Sequence, residues 1–240
     1  MLKFTIFGIP ITVEPWFWAV GFFLGNGFHH LQNGSYISIA TWLVIIFFSI
    51  LVHELGHAIV GYKLGGGSVW IRLWAFGGLA YQQGARFTPR NRRLMIVAGP
   101  AAGLCVFIVT VIIMLIIWPG QTGRDLVGLA IGYKNYTEIT PEAINILVQT
   151  YIRFDIFNDL IWVNLWWSLV NLLPIYPLDG GQLADSFMKS RKKMFMLSMF
   201  TAVGVIIAAA LIMDIPSPFI IMMFAFFAFQ SYQGYEKSQY

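Results

Sequence analysis

The chain has 240 residues, of which 58% are hydrophobic and only 11% charged, with a net charge of +4 and a mean hydropathy of +0.71. Soluble domains carry about 25% charged residues, so this composition excludes a soluble fold with a single anchor and predicts an all-α polytopic membrane protein. The lone Cys105 excludes an internal disulfide, and the basic excess reads as a marker of topology, so no nucleic-acid partner is expected.

Met1 to Val13 carries one Lys and no long apolar core, and no cleavable leader is expected there. A bilayer core requires about 20 apolar residues per helix, and six segments qualify. The first, Trp16 to Leu31, is opened by Glu14-Pro15, a helix-starting pair. The second runs from Ile39 to Leu64. Gly65 to Arg93 follows, with Gly77-Gly78 between the alternating stretches Val69-Trp70-Ile71 and Leu79-Ala80-Tyr81, which reads as extended chain or a β-hairpin between helices two and three, too apolar for a fully solvated loop. The third helix, Leu94 to Trp118, is closed by Pro119-Gly120. Gly120 to Asp155 is the largest extramembrane segment, and Thr140-Pro141-Glu142 opens an amphipathic helix there to about Phe154. The fourth helix, Ile156 to Leu173, stops before Pro174; the fifth spans Met194 to Met213 and the sixth Pro218 to Tyr232. Residues 1–240 thus read as one domain.

Six crossings place both termini on one side, together with every Lys and Arg except Arg124, Lys134 and Arg153. That bias predicts cytoplasmic termini, with Arg86, Arg90, Arg92 and Arg93 as positive-inside anchors.

The second helix carries His53-Glu54-Leu55-Gly56-His57. HExxH on a helix sets two imidazoles one turn apart on one face, which suits a single Zn²⁺, with the intervening Glu54 placed to activate water. Charged groups at this depth cost about 3 kcal/mol and mark functional sites. A catalytic zinc takes a third protein ligand. His29 and His30 lie at the far end of the first helix. Asp179 is better placed, since Pro174 and Pro177 break the chain before it and the second and fourth helices end on the same side. Asn164, Ser168 and Asn171 form one polar stripe on the fourth helix.

HExxH at 53–57 followed by Asn171-x-x-Pro174-x-x-x-Leu178-Asp179-Gly180 resembles the site-2 protease family of intramembrane zinc metalloproteases. Gly99-Pro100-Ala101-Ala102-Gly103 is similar to a third family signature, and Gly77-Gly78 to the family's hairpin region, which implies a membrane-associated β-hairpin between helices two and three. The resemblance extends over essentially the whole chain. It implies one Zn²⁺ per chain held by His53, His57 and Asp179, with Glu54 as general base and Asn171 holding the substrate or the developing oxyanion. The implied reaction is hydrolysis of a peptide bond within or near the transmembrane segment of a membrane protein, as in regulated intramembrane proteolysis. The implied setting is a lipid bilayer, in a prokaryotic plasma membrane, with the active site toward the cytoplasmic half. No PDZ or CBS module is expected, so control would fall to a separate regulatory membrane protein. The alternatives are a non-catalytic membrane scaffold and an ion-conducting membrane protein. One broken helix without an internal repeat disfavours the latter.

Overall fold

A computed structural model describes residues 1–212 and 218–238. The elements in chain order are β1 (Leu2–Ile6), β2 (Ile9–Val13), α1 (Pro15–Leu24), α2 (Gly27–Gln32), α3 (Tyr36–Gly65), β3 (Ser68–Trp74) and β4 (Gly77–Gln83). They continue with α4 (Pro89–Ile117), α5 (Gln121–Ala130), α6 (Pro141–Gln149), α7 (Tyr151–Asn171), α8 (Asp179–Phe187), α9 (Arg191–Ile212) and α10 (Pro218–Lys237). Among the described residues, Tyr36–Gly65, Pro89–Ile117 and Arg191–Leu211 are long and apolar enough to cross a bilayer. The 30 residues of α3 rise about 45 Å, against a hydrocarbon core of about 30 Å, so the helix ends project beyond the apolar layer.

α3, α4 and α7 pack against one another and form the frame of the molecule. Without water to drive association, such helices depend on close backbone approach at small residues. A Cβ at Gly56 would strike the Ala98 carbonyl, and one at Gly103 would strike Ser168 Oγ. α9 and α10 form a separate helical pair, whose Ala202, Phe224 and Phe227 bury Ile175 of the α7–α8 connection. Large apolar side chains such as Val44, Ile116 and Leu211 stay exposed on the outer surface, as lipid contact requires.

The sheet has the order β1-β2-β3-β4. β1 and β2 are antiparallel, β2 and β3 are parallel with Ile11 opposite Ile71, and β3 and β4 are antiparallel with Ile71 opposite Ala80. Ile11, Val13, Ile71 and Leu73 project from one face and pack on Ile50, Leu51 and Ala58 of α3. Glu14 Oε1 accepts from Arg72 Nε at 2.6 Å, tying the start of α1 to β3.

The expected hairpin between the second and third helices is present as β3–β4, within a sheet of four strands. β1 and β2 add a second hairpin, in which Ile9, Ile11 and Val13 alternate inward. The segment expected as one helix from Trp16 to Leu31 is two, because Asn26 takes the left-handed conformation at φ 50° and Gly25 packs flat against the Trp42 ring. The amphipathic helix expected to about Phe154 breaks at Thr150 (φ −128°), after which α7 begins. Gln121–Ala130 is a further helix not expected from the sequence. The expected end of the fifth segment at Met213 lies outside the described residues.

Candidate metal centre

His53 and His57 lie one turn apart on α3, with ring centroids 5.0 Å apart. Asp179 is the first residue of α8, where a carboxylate suits the positive end of the helix. Asp179 Oδ2 lies 3.0 Å from His53 Nε2 and 3.2 Å from His57 Nε2, and the two Nε2 atoms are 3.2 Å apart. All three side chains are buried.

His57 Nδ1 is 2.9 Å from the Met95 carbonyl, which can only accept. Nδ1 therefore carries the proton, and in the neutral ring Nε2 presents a lone pair. That lone pair faces a second ring nitrogen and a carboxylate oxygen across about 3 Å, so either a proton on His53 Nε2 or a cation among the three atoms holds them together. Ligands about 2.0–2.1 Å from a tetrahedral Zn²⁺ stand about 3.3 Å apart, close to the observed edges. The donor set fits zinc, and the Met95 carbonyl acts as the partner that orients a ligating imidazole.

Four glycines let the parts converge. A Cβ at Gly99 of α4 would overlap the His57 imidazole. One at Gly180 or Gly181 would strike main chain of Leu172–Tyr176, so these glycines allow α8 to start directly beneath the end of α7. One at Gly78 of β4 would overlap the Glu54 carboxylate. Pro100 removes a backbone N–H beside Gly99, loosening the α4 ladder where it meets His57.

A cavity of about 180 Å³ opens beside the three ligands. Glu54 and Asn171 both line it. Glu54 is 5% exposed, and its carboxylate lies against Gly78 of β4. Asn171 Nδ2 donates to the Trp167 carbonyl at 2.9 Å, within its own helix. Of the polar stripe on α7, only Asn171 reaches the cavity: Asn164 donates to Ser49 Oγ at 2.8 Å, and Ser168 packs against Gly103. His29 lies apart from the centre and pairs with Asn33 at 3.0 Å. Arg93, one of the expected positive-inside anchors, donates to Ser186 O at 2.9 Å and lies over the exposed Phe187 ring, which ties α4 to the far end of α8.

The sequence does not reveal the Met95 carbonyl, since a main-chain acceptor has no side-chain signature. It does hold a signal for the α10 wall of the cavity, because Met223, Phe226, Phe227 and Gln230 recur at helical spacing.

A buried His-His-Asp cluster placed to hold a metal, together with helices long and apolar enough to cross a bilayer, defines a membrane protein with a candidate metal centre. A model of peptidase family M50 matches residues 41–214, and the chain belongs to that family, the site-2 protease family of zinc metalloproteases. It is 29% identical over 190 residues to a protein of Synechocystis sp. described as a candidate zinc metalloprotease, covering 76% of this chain and 42% of that one. It is 32% identical over 164 residues to Rip3 of Mycobacterium tuberculosis, described likewise, covering 66% and 35%. It is 27% identical over 211 residues to a zinc metalloprotease of Methanocaldococcus jannaschii, covering 88% and 51%. The chain thus spans about a third to a half of these curated relatives. The solved structure of a site-2 protease from Methanocaldococcus jannaschii shares the fold, with a TM-score of 0.58 and 23% identity over 98% of this chain and 94% of that one.

Proposed function

We propose that the chain is an intramembrane zinc endopeptidase that cuts a peptide bond within or near the transmembrane segment of another membrane protein. The observation that carries this is the meeting of Nε2, Nε2 and Oδ2 of His53, His57 and Asp179 with the Glu54 carboxylate in one cavity at helices suited to lipid. When bound, zinc supplies Lewis-acid polarisation of the scissile carbonyl and lowers the pKa of water to about 7. Glu54 takes the proton of the attacking water and returns it to the leaving amine. Asn171, which lines the cavity, holds the substrate carbonyl.

A helical substrate hides its peptide bonds in its own hydrogen bonds and has to unwind. β4 is the edge strand of the sheet, and Gly78, Leu79 and Ala80 line the cavity. An unwound segment adds there as a further strand, which supplies the hydrogen bonds it gave up. Proline substitutions along β4 should reduce cleavage and leave zinc content intact; unchanged cleavage would remove this element.

In this proposal α1–α2, α3, α4, α7, α9 and α10 make six crossings of a prokaryotic plasma membrane, with both termini cytoplasmic and the site in the cytoplasmic half. The distribution of Lys and Arg supports that orientation. A separate membrane protein would regulate access. The deciding experiment reconstitutes wild type and Glu54→Gln with single-pass membrane proteins in lipid vesicles. Loss of cleavage with zinc retained in Glu54→Gln is expected. Equal cleavage by both, or none by zinc-loaded wild type across a broad substrate set, would refute the proposal.

A further inference from the structure

α10 lines the same cavity as β4. Met223, Phe226, Phe227 and Gln230 share one face of that helix, and all four line the cavity that contains His53, His57 and Asp179. Phe226 stacks on Phe76 of the β3–β4 turn, with centroids 5.5 Å apart and planes within 10°, which fixes this face against the hairpin. Gln230 is the polar member of the face. The other amides near the site each donate one hydrogen bond inside the protein: Gln182 Nε2 to the Pro177 carbonyl, Asn171 Nδ2 to the Trp167 carbonyl and Gln82 Nε2 to the His57 carbonyl. Among the described residues no hydrogen bond engages the Gln230 amide. A primary amide on a membrane helix is costly unless it meets water or a partner.

An extended peptide has two hydrogen-bonding edges. When β4 pairs with one, the other is left to the remaining walls of the cavity, and on the α10 wall Met223, Phe226 and Phe227 offer neither donor nor acceptor. A stranded N–H or C=O would then cost more than the pairing on β4 returns. One side chain with both a donor and an acceptor removes that cost, and an amide is such a group.

We propose that Gln230 is a substrate-positioning residue whose amide hydrogen-bonds the main chain of an extended substrate on the edge opposite β4. This deepens, and rests on, the protease reading above. The substrate class that follows is a locally unwound membrane segment with apolar side chains beside the scissile bond, since the rest of the α10 face is apolar.

The test uses the zinc-loaded full chain in detergent and two probes. Acetohydroxamate chelates zinc and has no peptide main chain; a trileucine hydroxamate carries the same chelator on an extended peptide. Gln230→Met removes the amide at nearly constant shape. The trileucine probe should bind about fivefold more weakly, the worth of one net hydrogen bond, while acetohydroxamate affinity and zinc content stay at wild-type values. Gln230→Leu repeats the measurement should Gln230→Met fail to fold. Equal affinity of wild type and variant for the trileucine probe, or equal weakening of both probes, overturns the role of Gln230. Failure of zinc-loaded wild type to bind either probe overturns the protease reading beneath it.

Discussion

Replacing Gly99 by Ala alters no ligand, yet it should act chiefly on zinc. In the interior of α4 an alanine favours the helix by about 1 kcal/mol over glycine. The new methyl would overlap the imidazole of His57. That ring has little freedom to yield, because its Nδ1 is held at 2.9 Å by the Met95 carbonyl of the same helix. Any yielding moves Nε2 from its 3.2 Å separations to His53 and Asp179. Metal sites tolerate shifts of about 0.2 Å in ligand distance. Disturbing the support of a ligating histidine weakens metal about 10- to 100-fold, or about 1.4–2.7 kcal/mol. The metal-free variant should melt near wild type, since the gain in helix propensity offsets the displaced ring. Chelator competition for zinc, alongside thermal unfolding with and without metal, reads both quantities. Gly103→Ala is the control: its methyl meets Ser168 Oγ and no ligand, so zinc affinity should hold while α4–α7 packing suffers. Unchanged zinc affinity in Gly99→Ala, or an equal fall in both variants, would refute the reasoning.

Gly78→Ala should push the Glu54 carboxylate out of place and lower peptide hydrolysis at least about 100-fold, the scale of a general base, with zinc stoichiometry unchanged by elemental analysis. Arg93→Met loses the bond to Ser186 O and the contact with Phe187. Denaturant unfolding should show a loss of about 1.5–3 kcal/mol, and Arg93→Lys should restore only part of it. Asp125 is buried and accepts from Lys134 Nζ at 2.6 Å, Gln121 Nε2 at 2.7 Å and Thr140 N at 2.9 Å. Lys134 first, then the Thr140 N–H, hold its carboxyl well below the usual carboxylate range. A depressed carboxyl contributes stability above its unfolded pKa of about 3.9 and loses it as pH falls toward the folded value. Lys134→Met should therefore be less stable than wild type at neutral pH and show a shallower further loss below about pH 4, measured by thermal melts across that window.

The metal ligands were legible because two local rules sufficed. Helical periodicity puts His53 and His57 on one face, and the prolines at 174 and 177 end α7 where the chain has to turn. Gly180 and Gly181 then admit α8 against the α7–α8 connection, so Asp179 meets the histidines although it lies 122 residues beyond His57. The parallel pairing of β2 with β3 was not legible, because Ile11 and Ile71 carry no mark that links them across the intervening helices. Arg93 looked like the basic residues beside it, and only the position of Ser186 and Phe187 separates its role from theirs. The break at Asn26 overrode a continuous apolar run through a single left-handed residue.

The parallel pairing of β2 and β3 also sets an order of assembly. A chain leaving β2 has to travel out along α1 and α2 and come back along α3 before β3 can lie beside its partner. The four-stranded order is therefore complete only once α3 has been made and has returned the chain to β2. The ligand set waits longer still, since Asp179 is synthesised after α7 has followed. A nascent chain that holds HExxH in the membrane has neither its third ligand nor the strand edge. The meeting of His53, His57 and Asp179 is thus a late event in biogenesis, when most of the helical frame around the site is already in place.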